Sequence, residues 1–159
     1  MSPRQKVLIA VIGASRPSAR ALPMAETVGR LIAERGAVLV CGGLGGVMEA
    51  AARGAFAAGG DVLGILPGPS RREANAYVTL PVATNMGHAR NIIIAQTADA
   101  LIAVEGEYGT LAEAAIGCKL GKPVIVLPGA PEITGCRSAE DPQTAVNLAF
   151  ESLDYDTKS

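Results

Sequence analysis

One stretch of the sequence combines glycines, a hydroxyl group and carboxylates at a spacing that suits anion binding. It reads Val-Glu-Gly-Glu-Tyr-Gly-Thr-Leu-Ala-Glu over residues 104–113. The apolar run 100–104 at its start predicts a strand buried on both faces of a parallel sheet, and the apolar residues after it recur at helical spacing. Gly106, Gly109 and Thr110 therefore lie in a strand-to-helix turn. Backbone N–H groups and the helix dipole can hold an anion such as phosphate at such a turn.

A second glycine-rich turn follows the apolar run 37–41 and precedes a helical pattern that continues to residue 58. Glycine allows close approach of the backbone to phosphate oxygens. The spacing is not G-x-G-x-x-G, and G-x-x-x-x-G-K-[ST] is absent, so a dinucleotide fold or a P-loop enzyme is disfavoured. Glycines that only tighten the turn are the alternative, but two such turns favour a nucleotide-sized anion site. The candidate ligand residues outside the first turn are Gly13, Ser15, Gly42, Gly43, Gly45, Gly46 and Met86.

Four polar side chains in or near these turns bear on catalysis. Thr110 and Glu113 fit the S/T-x-x-E capping pattern. In this pattern the Thr110 side chain caps the helix and the Glu113 side chain accepts a hydrogen bond from the Thr110 N–H, which stabilises the helix by on the order of 1 kcal/mol. Arg90 lies near the start of the helix predicted over 86–97, where a cation opposes the dipole. An anionic ligand or a carboxylate partner would explain Arg90, and a solvated surface arginine is the alternative. His88 is the only histidine, which excludes a multi-histidine metal site, and no metal is predicted.

Strand and helix patterns alternate along the chain. The pattern predicts an α/β fold with a single doubly wound, Rossmann-like parallel sheet flanked by helices. It forms one domain over residues 1–159, with a frayed tail from about Tyr155. The predicted strands are 7–12, 37–41, 62–66, 77–82, 100–104 and 123–127, and the predicted helices are 23–34, 47–58, 86–97, 111–120 and one that Asp141 and Pro142 begin. Residues 70–76 and 128–140 are predicted to be loops.

Composition narrows the possible partners. The chain is 49% hydrophobic, 18% charged and 3% aromatic, with a net charge of −1, so it offers neither a basic field nor stacking platforms for nucleic acid. Three cysteines without C-x-x-C spacing indicate reduced thiols in a cytoplasm. The apolar run near the N-terminus is too short for a signal peptide or a membrane span. We therefore expect a soluble cytoplasmic protein.

Four segments together resemble the LOG superfamily of Rossmann-like proteins. They are Cys-Gly-Gly-Leu-Gly-Gly-Val-Met-Glu (41–49), Ala-Gly-Gly-Asp-Val-Leu-Gly-Ile-Leu-Pro (58–67), Asn-Met-Gly-His-Ala-Arg-Asn (85–91) and Gly-Glu-Tyr-Gly-Thr-Leu-Ala-Glu (106–113). Within that superfamily the chain is most similar to the short bacterial branch that includes molybdenum-cofactor-carrier-like proteins. The resemblance implies a homodimer or larger assembly and no bound cofactor other than the ligand itself.

The resemblance implies two kinds of function. LOG enzymes hydrolyse nucleoside 5′-monophosphates to free base and ribose 5-phosphate, and by resemblance Arg90 and Glu113 fall on the catalytic positions, with Gly106, Gly109 and Thr110 on the phosphate-binding turn. The chain departs from the family turn because Glu107 stands where the family has glycine. A carboxylate there repels phosphate unless it points away or a cation intervenes. The alternative to a phosphoribohydrolase is therefore a nucleotide sensor or a carrier of a pterin cofactor, and a structural protein with an empty pocket is a third possibility.

Overall fold

The fold is a seven-stranded, all-parallel sheet with helices on both faces, as predicted. A computed structural model describes residues 5–158, and the side chains of residues 155–158 lie outside that description. The frayed tail expected from Tyr155 therefore falls outside what the structure describes. The strands are β1 (Leu8–Gly13), β2 (Val38–Cys41), β3 (Val62–Leu66), β4 (Leu80–Ala83), β5 (Ala100–Val104), β6 (Val124–Val126) and β7 (Arg137–Ser138). The helices are α1 (Ala21–Glu34), α2 (Val47–Ala57), α3 (Arg90–Thr97), α4 (Tyr108–Lys119) and α5 (Pro142–Lys158).

The strand order is β4-β3-β2-β1-β5-β6-β7. Strands β2, β3 and β4 follow one another on one side of β1. The chain then crosses the sheet, and β5 pairs with β1 on its other side. The order reverses between β1 and β5, which makes this pair the topological switch point. Ligands of open parallel sheets bind outside the carboxyl ends of the strands at such a point.

Two apolar layers cover the sheet because successive strand residues face opposite ways. Ile9 and Val11 of β1 face the layer that contains α1, α2 and α5. Ala10 and Ile12 face the layer that contains α3 and α4. All five residues of β5 are buried, as expected for a strand predicted to be buried on both faces of the sheet. The carboxyl ends of β1 and β5 are thereby held in a rigid frame.

Several predicted boundaries were wrong. Helix α4 begins at Tyr108 and not after Thr110, because the chain turns inward directly after β5. The helix predicted from Met86 is a 3-10 turn over Gly87–Ala89 followed by α3. The predicted loops contain a 3-10 turn at Arg71–Glu73 and the short edge strand β7, whose two residues are too few to give a pattern. The start predicted for α5 is confirmed, since Asp141 accepts a hydrogen bond from the Thr144 N–H at 2.8 Å.

Within the described part of the chain, none of the helices combines the length and apolarity needed to cross a bilayer.

Candidate ligand-binding site

A cavity of about 600 Å³ opens at the switch point. That volume falls within the range of pockets that hold nucleotide-sized ligands. Its walls come from the ends of β1 and β5, the first turn of α4, the start of α3 and side chains of the second glycine turn. Seven of the residues predicted for the site line it: Gly13, Ser15, Arg90, Gly106, Gly109, Thr110 and Glu113.

The turn between β5 and α4 supplies unpaired backbone donors. Gly106 has φ +147, and a Cβ there would clash with the Thr110 hydroxyl, so the turn requires glycine at this position. The first helical hydrogen bond of α4 runs from the Leu111 N–H to the Glu107 carbonyl at 2.9 Å. Among the described residues, no backbone or side-chain acceptor takes the N–H groups of Tyr108 and Gly109. The end of α4 that faces the cavity therefore has donors to offer an anion.

Thr110 does not cap α4. The N-cap position belongs to Glu107, which makes no side-chain capping bond, and Thr110 is a buried residue of the first turn. The predicted bond from Glu113 back to Thr110 is therefore absent, and the capping explanation of Glu113 was wrong. The S/T-x-x-E pattern misled because the helix starts three residues earlier than the pattern implies.

Glu105 fastens the loop after β1 to the turn after β5. Its carboxylate accepts hydrogen bonds from the Ser18 N–H and the Ser18 hydroxyl, both at 2.7 Å. The Ala14 N–H donates to the Glu105 carbonyl at 3.1 Å. The bonds from Ser18 lower the pKa of Glu105 below its ordinary value. Glu105 is thus engaged in holding the cavity wall, whereas Glu107 is exposed and lines the cavity.

Arg90 and Glu113 enter the cavity from facing helices, α3 and α4. Glu113 is only 7% exposed, yet within the described chain no donor bonds to its carboxylate. Arg90 and Glu113 are not among the described side chains that form ion pairs, although their charges interact. Arg90 donates from one terminal nitrogen to the Asn91 side-chain oxygen, and its Nε is buried with no hydrogen-bond partner. The carboxylate and the guanidinium are therefore both available to a ligand.

Burial controls the protonation of both groups. It raises the pKa of Glu113 from 4.5 to about 7, and the charge of Arg90 opposes part of that rise. Burial also lowers the pKa of Arg90, while the Glu113 charge raises it. Near neutral pH, Glu113 can therefore either accept a hydrogen bond as a carboxylate or give up a proton.

The second glycine turn positions the site more than it lines the cavity. Leu44 and Met48 line this part of the cavity. The four glycines of the turn do not line it: Gly42, Gly43, Gly45 and Gly46. A Cβ at Gly42 would lie 2.8 Å from a terminal nitrogen of Arg90, so the missing side chain makes room for the guanidinium. The Val47 N–H, directly after Gly46, donates to the Ala14 carbonyl at 2.9 Å and seats α2 on the loop after β1.

Polar side chains at the starts of α3 and α4 line the cavity although they were not among the residues predicted for the site. Asn91 lines the cavity and orients Arg90, and Tyr108 lines it while being 86% exposed. Met86 is 54% exposed and is not a lining residue, whereas His88, two residues later, is. A polar residue beside a candidate arginine was the available signal for Asn91; nothing in the sequence pointed to Tyr108.

Comparison with known proteins places this site in a family. Residues 6–152 match the SLOG cluster4 family. The chain belongs to that family. It is 49% identical to an uncharacterized protein of Archaeoglobus fulgidus over 91% of this chain and 95% of the relative. The predicted relation to the LOG superfamily, near the molybdenum-cofactor-carrier-like branch, is confirmed.

Solved structures support the same placement. The SLOG cluster4 chain superposes on the molybdenum cofactor binding protein of Rippkaea orientalis with a TM-score of 0.89 at 32% identity, covering 94% of this chain and 99% of that one. The molybdenum cofactor carrier protein of Chlamydomonas reinhardtii gives 0.87 at 33% identity with the same coverage. The DNA processing protein A of Helicobacter pylori, at 19% identity and a TM-score of 0.69, shares the fold alone.

Proposed function

We propose that this protein binds a phosphorylated pterin of the molybdenum-cofactor type and carries it without turnover. The two similar structures whose proteins bind or carry that cofactor favour this ligand over a nucleotide. The observation that carries the proposal is the Glu113 carboxylate, which belongs to a buried residue of the cavity wall and has no hydrogen-bond donor among the described residues. Among these residues Arg90 Nε is the fully buried polar side-chain atom without a partner. A ligand in the cavity can supply a donor to the carboxylate and an acceptor to the guanidinium.

The chemistry of a pterin suits this carboxylate. The amino-pyrimidinone edge of a pterin presents two adjacent N–H donors, and a carboxylate can accept both at once. Arg90, across the cavity, donates to the oxygen or ring nitrogens of the same edge or to a phosphate. Asn91 keeps the guanidinium in place by accepting one of its hydrogens. These two side chains would fix the orientation of the ring.

The phosphate of the ligand would lie at the first turn of α4. The unpaired N–H groups of Tyr108 and Gly109 and the dipole of α4 favour a negative group there. Glu107 at the helix N-cap weakens that attraction because its carboxylate repels a phosphate dianion. Moderate affinity suits a carrier, which must release its ligand to a second protein.

Fluorescence anisotropy of neopterin monophosphate tests the proposal directly. The chain has no tryptophan, so protein emission does not interfere. We expect saturable binding by the wild type and a loss of about 10- to 100-fold in affinity for Glu113→Gln, since a hydrogen bond to a charged group contributes about 1.5–3 kcal/mol. Glu151→Gln, an exposed change in α5, serves as the matched control and should bind like the wild type. No anisotropy change at millimolar protein, or equal binding by Glu113→Gln, would refute the proposal.

A nucleoside 5′-monophosphate phosphoribohydrolase is the second candidate. It is favoured by one observation: Arg90 and Glu113, the positions that resemble the LOG catalytic pair, lie in one cavity with the pKa of Glu113 near neutrality. In that reaction the carboxylate would stabilise positive charge on the ribose or activate water as the base leaves. Arg90 would orient the nucleotide.

Chromatographic detection of free base separates the two functions. The purified protein is incubated with a panel of nucleoside 5′-monophosphates, with Glu113→Gln in parallel. Base release that is lost in the variant would establish the hydrolase. Binding of a nucleotide without release, measured by displacement of neopterin monophosphate, would instead indicate a sensor.

Several properties stay predictions. A homodimer or larger assembly, implied by the family resemblance, is tested by sedimentation velocity. A cytoplasmic location and the lack of nucleic-acid binding are tested by fractionation and by electrophoretic mobility shift with single- and double-stranded DNA.

A further inference from the structure

Two cysteines meet on the side of α4 remote from the cavity. Cys118 lies in the last turn of α4, and Cys136 lies one residue before the edge strand β7. Their sulfur atoms are 3.6 Å apart, both side chains are half-buried, and both thiols are free. The third cysteine, Cys41, is fully buried at the end of β2.

The loop before β7 is shaped to bring the two sulfurs together. Gly135 has φ +101, and a Cβ there would lie 3.5 Å from the Cys118 sulfur. The Cys136 N–H donates to the Ile133 carbonyl at 3.1 Å, which closes a turn over the end of α4. A side chain at 135 would strain this backbone, because φ lies in the region that favours glycine. The contact is therefore a property of the loop and not of two flexible surface residues.

We propose that Cys118 and Cys136 are a reversible disulfide site that low-molecular-weight disulfides oxidise. The proposal rests on this contact alone and does not depend on the ligand of the cavity. The existing separation must shorten to about 2 Å, which rotation of the two side chains and a small movement of the loop can supply.

The reaction proceeds by two thiol–disulfide exchanges. The thiolate of one of the two cysteines attacks one sulfur of a small disulfide, forms a mixed disulfide and releases one small thiolate. The other cysteine then attacks the protein sulfur of the mixed disulfide, forms the protein disulfide and releases the second small thiolate. The protons of the two cysteines pass to the two released thiolates, so two protein thiols are oxidised and one small disulfide is reduced.

The surroundings of Cys118 favour its protonated form. Desolvation and the neighbouring Cys136 thiol raise the pKa of Cys118 to about 11. Since the thiolate is the form that attacks a disulfide, we expect oxidation of the pair to become faster as the pH rises.

The disulfide would tie α4 to the connection between β6 and β7. This connection also reaches the cavity wall, since a Cβ at Gly129 would lie 3.8 Å from the Glu105 side chain. The closed loop spans residues 118–136 and should raise the midpoint of thermal unfolding by about 6 to 12 °C.

Peptide mapping after oxidation tests the site. The full-length protein is treated with oxidised glutathione, unfolded, alkylated and digested with trypsin without reduction. Cleavage places Cys118 in peptide 91–119 and Cys136 in peptide 120–137, since Pro123 blocks cleavage after Lys122. We expect these two peptides to appear joined, with a mass two hydrogens below their sum, and to separate on reduction.

The controls use the remaining thiols. Cys118→Ser and Cys136→Ser should each abolish the joined peptides and the rise in the thermal midpoint, whereas Cys41→Ser should keep both. Joined peptides from two different molecules, a stable glutathione adduct without the joined pair, or three alkylated cysteines in the treated wild type would overturn the proposal. A disulfide between two molecules shows as a dimer on non-reducing denaturing electrophoresis of the treated wild type, and the wild-type map gives the other two outcomes. The test therefore holds even when a variant fails to fold.

Discussion

Replacing Glu113 by glutamine should stabilise the protein above pH 4.5, by an amount that grows until about pH 7. The folded state holds the Glu113 proton with a pKa of about 7, against 4.5 for an ordinary glutamate. Below pH 4.5 the group is protonated in both folded and unfolded chains and contributes no difference. As the pH rises from 4.5 to 7 the unfolded chain ionises first, so folding stability falls, and above 7 the full loss is present.

The size of this effect follows from the two pKa values. A difference of one pKa unit is about 1.4 kcal/mol, so the rise from 4.5 to about 7 corresponds to about 3 kcal/mol at pH 8.5. Glutamine has nearly the same shape and no charge to desolvate. Urea unfolding should therefore show Glu113→Gln to be more stable than the wild type by up to about 3 kcal/mol at pH 8.5, and the two to be nearly equal at pH 4.5.

The comparison with an exposed carboxylate isolates the cause. Glu151→Gln removes the same charge from an exposed position of α5 and should give no pH-dependent difference. If the gap between Glu113→Gln and the wild type is the same at both pH values, then burial does not control the ionisation of Glu113, and the account of the site given above is wrong.

Two further predictions concern the frame of the site. Gly29→Ala in α1 should lower the free energy of unfolding by about 1–3 kcal/mol in urea, because a Cβ there would clash with the Ala51 carbonyl of α2. Gly109→Ala should be tolerated, because the nearest atom to its Cβ would be 3.8 Å away. Glu105→Ala should speed amide hydrogen exchange at Ser18 about tenfold, because both of its bonds to that residue are lost, and leave exchange at Ala14 unchanged, because Ala14 bonds to the backbone at 105. Equal exchange at Ser18 in the variant and the wild type would show that this contact does not hold the loop.

The sequence predicted the strands of the centre of the sheet well. The ranges 62–66 and 100–104 match β3 and β5 because each is a short apolar run with a sharp end at proline, glutamate or aspartate. The edge of the sheet was predicted less well. Strand β4 is largely exposed and β7 has two residues, so neither carries the continuous apolar pattern of a buried strand.

The site was predicted in its location but not in its contacts. Both glycine turns lie at the carboxyl ends of strands, as the patterns indicated, and Arg90 and Glu113 line the same cavity although 23 positions separate them in the sequence. The pairing could not be read from spacing because it depends on α3 and α4 packing side by side on one face of the sheet. The explanation of Glu113 as a capping residue failed for a local reason, since residue 107 and not 110 is the N-cap of the helix.

The burial of Glu113 also separates the binding of a pterin from hydrolysis of a nucleotide. A ligand that donates two N–H groups needs the ionised carboxylate, so its affinity should rise with pH up to about 7, with up to a tenfold gain for each pH unit below that value. The ligand supplies the hydrogen-bond partner that the carboxylate lacks in the free protein, and it thereby recovers the stability lost on ionisation. Glutamine at 113 removes this dependence. Anisotropy titrations of neopterin monophosphate between about pH 5 and pH 7 would measure it, below the range in which the pterin ring N–H itself ionises. Affinity that falls with pH in the wild type would mean that the protonated acid is the binding form, as expected of a group that donates its proton in catalysis and not of one that receives a pterin edge.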